Sequence, residues 1–242
     1  MAMLTVNLDQ VAALRESRKL REPDPAQAAV LAEMAGADGI AIQLRRDRKY
    51  VRDRDLYILR EVVKTRLTIE LTPVEDIIQR VLEVKPAMVA FVADRAGDLP
   101  VSGIEFDSAE IDFTDTARRF KAAGIAVCFF VEPETDSVKG AQRAGGDAVM
   151  INCGGFTYAR TLEEAQQELD RIDSCAQAAA KAGLSVMAGR GIDRKNILAL
   201  HELGLIDEFF VGNSIVSRAV LKGMTAAVEE VLDILKTAPP RT

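Results

Sequence analysis

The sequence predicts a (β/α)8 TIM barrel, built as a single domain from residues 1–242. Three observations lead to this fold. Short apolar runs alternate with segments of helical spacing along the chain, and the runs are apolar almost throughout, as strands are when both faces are buried. The length of 242 residues is also typical of such a barrel. An open, doubly wound sheet is the alternative, because evenly spaced units of this kind can also remain unclosed.

The predicted strands are eight apolar runs, each short enough to be a strand. In chain order they are LTVNLD (4–9), GIAIQL (39–44), LTIEL (67–71), MVAFVA (88–93), IAVCFFV (125–131), DAVMIN (147–152), LSVMAG (184–189) and EFFVG (208–212).

The segments between the strands have the apolar spacing of amphipathic helices. Right-handed crossovers through these helices would make neighbouring strands parallel. The helical segments are DPAQAAVLAEMAGA, RDLYILREVVKT, VEDIIQRVLEVK, TARRFKAAG, SVKGAQRAGG, LEEAQQELDRIDSCAQAAAKAG and RKNILALHELG, and one long eighth helix is predicted over SIVSRAVLKGMTAAVEEVLDILK.

Charge and composition exclude several classes of function. The net charge of −6 and the scattered basic residues provide no broad positive field for nucleic acid or an anionic membrane, so we expect a small-molecule partner. Cys128, Cys153 and Cys175 have no metal-type spacing and fit a reduced interior. No apolar run reaches the length of a membrane span, and the start MAMLTVNLDQ has no signal-peptide pattern. We therefore expect a cytoplasmic protein.

Polar residues are concentrated where the predicted strands end. The catalytic residues of a (β/α)8 barrel come from these carboxyl ends, and buried carboxylates and amides need partners or a ligand, so the set predicts a site. Ordinary polarity of surface loops is the alternative for any single residue. The set is Asn7, Asp9, Gln10, Gln43, Arg45, Glu70, Thr72, Asp94, Glu132, Asn152, Cys153, Arg190 and Asn213.

Two glycine turns predict a phosphate site. Barrels often bind an anion between the loops after strands seven and eight, where backbone amides and a helix N-terminus meet. Those loops read Gly189-Arg190-Gly191 and Gly212-Asn213-Ser214, and the second leads directly into a helix. Arg190 would stand beside the phosphate. The alternative is an ordinary strand-to-helix turn with a solvated arginine.

The sequence resembles the pyridoxine 5'-phosphate synthases of vitamin B6 synthesis. The resemblance runs from about Leu4 to Leu235 and rests on VNLDQVAALRESR, DPAQAAVLAEMAGADGI, LRRDRKYVRDRDLYILR, TIEL, MAGRGI and VGNSIVSRAVLKGM. It implies a (β/α)8 barrel, commonly octameric, that condenses 1-deoxy-D-xylulose 5-phosphate with 3-amino-2-oxopropyl phosphate and releases phosphate and water. It also implies that neither a metal nor an organic cofactor is required.

The resemblance implies roles for residues that match the family. Asn7, Asp9, Arg18 and Arg45 would hold the substrates, Glu70 would accept a proton, and Gly191 and Gly212 would bind phosphate. At several other positions the family has histidine and this sequence does not, and on strand six Met150 replaces a glutamate. The residues in place of histidine are Gln10, Gln43, Tyr50, Asn152, Arg190 and Asn213.

These replacements remove most of the proton-transfer capacity near neutral pH, since glutamine, asparagine and arginine cannot shuttle protons there. Glu70 remains as the expected general base, with a salt bridge to Arg45 as its alternative role. Gln43 could hydrogen-bond a carbonyl, and Arg190 could hold a carboxylate or a phosphate. Cys153 is a candidate reactive thiol or, alternatively, a small buried residue. The one histidine, His201, is expected on a helix surface.

The predicted site therefore has three groups of residues. The expected catalytic residues are Glu70, Asp9, Gln43 and Arg190, and the expected substrate-binding residues are Asn7, Gln10, Arg18, Arg45, Tyr50, Asn152 and Cys153. Gly191, Gly212 and Asn213 are expected to bind phosphate, and no metal site is expected.

Three functions fit this site. The first and favoured one is a diverged enzyme of the family that acts on a small phosphorylated or anionic substrate. The second is a genuine pyridoxine 5'-phosphate synthase, and the third is a non-catalytic metabolite-binding or scaffold protein. The resemblance adds the expectation of a homo-oligomer.

Overall fold

The computed structural model describes residues 2–93, 102–107 and 111–237. Eight parallel strands pair in the order β1-β2-β3-β4-β5-β6-β7-β8, and β8 pairs back with β1, so the sheet closes into a barrel. The predicted (β/α)8 barrel is confirmed, and the open sheet is excluded. Asp94, one of the polar residues expected at the strand ends, lies outside the described residues.

The strands match the predicted apolar runs to within three residues at each end. They are β1 Met3–Asn7, β2 Gly39–Leu44, β3 Arg66–Leu71, β4 Met88–Phe91, β5 Ala126–Val131, β6 Ala148–Asn152, β7 Ser185–Gly189 and β8 Glu208–Val211.

The helices surround the barrel and bury their apolar faces against the outer side of the strands. They are α1 Asp9–Ser17, α2 Pro25–Met34, α3 Asp53–Val62, α4 Glu75–Val84, α5 Phe113–Ala122, α6 Thr135–Arg143, α7 Gly154–Thr157, α8 Leu162–Lys181, α9 Ile197–His201, α10 Asn213–Lys222 and α11 Met224–Thr237.

Three features of the helices differ from the prediction. The segment expected as one eighth helix is two helices, because Gly223 between them has a φ of 85° and a ψ of 156°, a conformation that glycine alone adopts readily. Two short helices, α1 and α7, were not predicted, and both follow directly on strand ends. His201 was expected on a helix surface and is 6% exposed, with its ring edge-on to Phe209.

Strand alternation assigns each side chain to the interior of the barrel or to the layer under the helices. On β3, Ile69 and Leu71 pack under the helices, whereas Thr68 and Glu70 lie on the inner face. Gln43 on β2 is in register with Glu70, so these two polar side chains lie side by side near the carboxyl end. The polar side chains of the barrel interior, Gln43 and Glu70, therefore lie at the mouth of the barrel.

The amino end of the barrel is closed by an ion pair. Glu208, the first residue of β8, is 1% exposed and its Oε1 lies 2.7 Å from Nη2 of Arg66, the first residue of β3. Thr5 donates its hydroxyl to the same carboxylate. Active sites in barrels of this type lie at the opposite, carboxyl end of the strands. Among the residues that the structure describes, no helix combines the length and apolar character needed to cross a membrane.

Candidate active site

A cavity of about 490 Å3 opens at the carboxyl ends of the strands. Every residue predicted to act in catalysis or phosphate binding lines it, together with two of the predicted substrate-binding residues. They are Asn7, Asp9, Gln10, Gln43, Glu70, Arg190, Gly191, Gly212 and Asn213.

Asn7 connects the two carboxyl groups of the cavity. It is the last residue of β1, and its Nδ2 donates to Glu70 Oε1 at 2.9 Å. Its Oδ1 accepts the backbone N–H of Asp9, the first residue of α1, at 2.9 Å. Asp9 Oδ1 in turn accepts the backbone N–H of Gln43 at 2.7 Å. The two carboxyl groups are therefore held by the ends of β1, β2 and β3.

The environment raises the pKa of both carboxyl groups. Burial and, to a smaller extent, the negative charge of Asp9 raise the pKa of Glu70 to about 8, and the hydrogen bond from Asn7 opposes the shift. Burial raises the pKa of Asp9 to about 6, opposed by hydrogen bonds from Gln43 and Asn7 and by the charge of Arg45. Near neutral pH the pair therefore shares one proton and carries one negative charge, with the larger rise in pKa at Glu70.

Arg45 does not act on Glu70 as expected. The ion pair that the structure gives Arg45 is with Asp47, at 2.9 Å, and its charge lowers the pKa of Asp9 instead. The alternative role of Glu70, a salt bridge to Arg45, is therefore not the one the structure describes: the hydrogen bond to Glu70 comes from Asn7.

The turn after β7 is held in an unusual backbone conformation. Arg190 and Gly191 have φ angles of 76° and 69°, and such a φ is strained for a non-glycine residue such as arginine. Gly191 also has no room for a side chain, because a Cβ there would collide with Thr157 and lie 3.0 Å from the ring of Tyr158. The backbone of this turn is therefore brought close to the short helix α7.

The turn after β8 leads into a helix. Gly212 is the N-cap of α10, whose first residue is Asn213, so the unpaired amides and the positive end of this ten-residue helix face the cavity. A Cβ on Gly212 would lie 3.2 Å from Asn7 Cβ and from Gln10 Oε1. The Oε1 atom of Gln10 is buried and has no partner among the described residues.

The Arg190 side chain runs away from α10, towards the end of β6. Its Cδ and Nε lie 3.2 Å from the position that a Cβ on Gly154 would occupy, and Asn152 Oδ1 lies 3.0 Å from the same position. Asn152 donates to Glu132 and accepts the backbone N–H of Gly154. Arg190 thus lies beside Asn152 and over the start of α7.

Five residues expected to bind substrate do not line the cavity, and Arg45, described above, is one of them. Arg18 is exposed after α1, and Tyr50 packs against the outer core while its carbonyl accepts from Arg15. Asn152 is 9% exposed and is engaged by Glu132. Cys153 is fully buried under the helices, and burial raises the pKa of its thiol to about 12. Of the two interpretations of Cys153, the small buried residue therefore fits the structure, and the reactive thiol at the mouth does not.

Other residues reach the cavity that sequence reasoning did not select. Strand alternation from the polar strand ends would have found the apolar wall, whereas α7 and the second turn of α10 gave no signal. The apolar wall consists of Val92, Phe130, Met150 and Phe210, and the polar additions are Thr157, Tyr158, Asp193, Ser214 and Ser217.

Comparison with known proteins agrees with this architecture. The chain is 41% identical to the pyridoxine 5'-phosphate synthase of Geobacter metallireducens over 239 residues, which cover 98% of this chain and 100% of that protein. It is 40% identical to the synthase of Geobacter sulfurreducens over the same shares. The solved structure of KGPDC from Streptococcus mutans has a TM-score of 0.65 at 13% identity, over 98% of this chain and 99% of that one, and so shares the fold. Residues 4–237 match the family model described as pyridoxal phosphate biosynthesis protein PdxJ, and with relatives of this similarity along its whole length the chain belongs to that family.

Proposed function

We propose that this protein is a diverged enzyme of the PdxJ family that acts on a small phosphorylated or anionic substrate at the mouth of the barrel. One observation carries the proposal: the cavity combines a pair of carboxyl groups with two glycine turns, but the described residues that line it include no histidine. The one histidine of the sequence, His201, is buried at the end of α9. Proton transfer must therefore depend on carboxyl groups.

Glu70 is the proposed proton carrier. Near neutral pH it shares one proton with Asp9, so it can donate this proton to a substrate and then take one back. Gln43, which is in register with Glu70, is the proposed donor to a substrate carbonyl. This arrangement suits condensation, elimination or proton transfer next to a carbonyl group.

The phosphate of the substrate is proposed to bind where the turns after β7 and β8 meet. Gly191 and Gly212 allow close approach of a ligand to the backbone, and the N-terminus of α10 at Asn213 supplies amides and a positive dipole. The substrate then spans the cavity from α10 to the carboxyl groups. Asn7 and Gln10 lie between these two ends and are the proposed contacts for its central part.

The assay for the proposal is the parent reaction itself. Purified protein is mixed with 1-deoxy-D-xylulose 5-phosphate and 3-amino-2-oxopropyl phosphate, and the fluorescent product is followed. We expect a rate at least about 10²- to 10⁴-fold below that of a Geobacter relative assayed in parallel, because the loss of one well-placed acid or base alone costs that much. A normal rate would overturn the proposal, and binding of either phosphate without turnover of any substrate would favour the non-catalytic metabolite-binding protein instead.

A genuine pyridoxine 5'-phosphate synthase is the second candidate. The observation in its favour is the 41% identity to a protein of that name over nearly the whole chain. In that case waters and amides would replace the imidazoles. Rescue of a vitamin B6 auxotroph by the gene discriminates the two candidates, since a diverged enzyme leaves the strain dependent on added vitamin.

We further propose that the enzyme works in the cytoplasm as a homo-oligomer. All three cysteines are free thiols, as in a reducing compartment. Exposed apolar side chains lie on α1, α2 and α10, of which α1 contacts each of the other two, and such a patch is typical of a subunit interface. Light scattering coupled to size-exclusion chromatography measures the subunit number. The patch contains Leu14, Val30, Leu31, Met34, Val220 and Leu221.

A further inference from the structure

We propose that Arg190 forms a second anion subsite that binds a carboxylate of the substrate, separate from the phosphate site at α10. The inference rests on the proposed function and makes the substrate class narrower: a phosphate ester that also carries a carboxylate. It depends on the direction of the Arg190 side chain, on the state of the acids around it and on the apolar wall in front of it.

The direction of the side chain separates the two subsites. Arg190 follows β7, and its Cδ and Nε pack over Gly154 beside Asn152 at the end of β6. The N-terminus of α10 lies on the other side of β7, after β8. A ligand group that meets the guanidinium is therefore displaced from the amides of α10 by the width of at least one strand, about 5 Å.

The guanidinium has no acceptor among the residues described. Arg190 lines the cavity and is half-buried, yet its nitrogen atoms make neither a hydrogen bond nor an ion pair within residues 2–93, 102–107 and 111–237. A partly desolvated cation without a partner favours binding of an anion. The strained φ of Arg190 is a second sign that this position is specified by function.

The carboxylates that could neutralise Arg190 are engaged elsewhere. Glu132 accepts from Asn152 and from the backbone N–H of Gly103, at 3.0 and 2.7 Å. Asp193 accepts the backbone N–H groups of Lys195 and Asn196, at 2.7 and 3.1 Å. The guanidinium is thus left for a ligand.

The charge of the site favours a carboxylate over a second phosphate. The pair of Asp9 and Glu70 already contributes a negative charge near neutral pH, and one guanidinium balances one further negative charge. A phosphate dianion would exceed this balance. The carboxylate also matches the planar guanidinium through two parallel hydrogen bonds.

The apolar wall of the cavity determines which kind of atoms the substrate can have between its phosphate and its carboxylate. Met150 and Phe130 are 3% and 4% exposed, and the sulfur of Met150 fills the space in front of Gly189. Only carbon atoms or an apolar ring edge are suited to contact this wall. The inferred substrate is a phosphorylated hydroxy, keto or amino acid whose carbon skeleton faces Met150 and whose reacting carbon faces Glu70.

The inference is tested with two phosphate esters that differ at one carbon, which is a hydroxymethyl group in one ligand and a carboxylate in the other. Glycerol 3-phosphate and 3-phosphoglycerate are titrated by calorimetry into the wild-type protein and into Arg190→Gln and Arg190→Lys. A charge-assisted hydrogen bond contributes about 1.5–3 kcal/mol. We therefore expect about 10- to 100-fold tighter binding of 3-phosphoglycerate to the wild type. Arg190→Gln should reduce this ratio to about 1, with a much smaller loss of affinity for glycerol 3-phosphate than for 3-phosphoglycerate, and Arg190→Lys should retain part of the ratio. Arg143→Gln, a change of an exposed arginine on α6, is the control and should leave the ratio intact.

The outcomes separate this inference from the proposed function. Equal affinities in the wild type, or a preference that survives in Arg190→Gln, would overturn the carboxylate subsite and leave the phosphate site standing. Thermal stabilisation by glycerate that disappears in Arg190→Gln, without binding of either phosphate ester, would support the subsite and overturn the phosphate site. If glycerate and both esters fail to bind the wild type, both proposals are wrong.

Discussion

The Nδ2 atom of Asn7 lies 2.9 Å from Oε1 of Glu70, so an amide at the end of β1 orients a carboxyl group on β3. The same amide accepts the backbone N–H of Asp9. The three residues therefore act as one unit, and a change in any of them should alter how the others hold protons.

Glu70→Gln should stop proton transfer and preserve the fold. Glutamine keeps the shape and can still accept from Asn7, but it cannot exchange a proton. We expect kcat on the true substrate to fall by about 10²-fold or more with KM little changed.

The matched control is Glu132→Gln, a change of a strand-end carboxylate that does not line the cavity. It should leave kcat within about threefold of the wild type. A Glu70→Gln protein with full activity would contradict the role of Glu70, whatever its stability.

Stability should depend on the ionisation of Glu70. Its pKa is about 8 in the folded protein and near 4.5 when unfolded, so the folded protein binds more protons between these values. The contribution to the free energy of unfolding is therefore complete below about pH 4.5 and is lost as the pH rises through about 8. Thermal unfolding across this range should show a Tm decline that is smaller in Glu70→Gln. A decline of equal size in both proteins would contradict the raised pKa.

Gly191→Ala should weaken phosphate binding more than backbone strain alone explains. The new Cβ would collide with Thr157, and alanine would also have to adopt a φ of 69°. Gly183→Ala is the control, since it has a φ of 76° and open space around it. Both variants should lose about 1 kcal/mol or more of stability through strain. Only Gly191→Ala should show reduced affinity for inorganic phosphate in calorimetry; equal affinities would place the anion elsewhere.

Cys153 should be inert in the folded protein. Its thiol is fully buried and has a pKa of about 12, so almost none is ionised at pH 7. A chromogenic disulfide reagent should label Cys153 only on unfolding, with the reacting position read by mass spectrometry. Rapid labelling of the native protein at Cys153 would show that the thiol is accessible.

Asp55→Asn should be strongly destabilising. Arg15 donates to both oxygens of Asp55 at 2.8 and 2.7 Å, and the side chains are 5% and 4% exposed. Removal of one partner from a buried ion pair costs about 3–5 kcal/mol. The exposed pair of Arg118 and Asp115 is the control, and Asp115→Asn should cost less than about 1 kcal/mol in urea unfolding. If Asp55→Asn and Asp115→Asn lowered the free energy of unfolding by similar amounts, burial would not increase the contribution of the Arg15–Asp55 ion pair to stability.

The sequence was sufficient to predict the barrel because nearly every strand is apolar on both faces, and the inner position of Glu70 followed from the alternation within LTIEL. The partner of Glu70 was not predictable. Arg45 is close along the chain to β2, but only the turn of the backbone after Leu44 decides that it meets Asp47. Cys153 was placed at the mouth because it follows β6, whereas its side chain points under the helices. A shift of one residue at the end of a strand moves a side chain from the barrel interior to the layer under the helices. No local sequence pattern shows which of the two positions is taken.

The anion-binding groups and the proton-carrying groups are carried by different strands on two adjacent arcs of the barrel, and this division has a consequence for how such a protein can change. Arg190 and α10 are carried by β7 and β8, whereas Asp9, Gln43 and Glu70 are carried by β1 to β3. Mutations on one arc can remodel the reaction while the other arc keeps a ligand anchored in place. A protein of this kind can therefore change its reaction through successive substitutions that leave substrate binding intact. Directed evolution should accordingly find new activities by varying β1 to β3 alone.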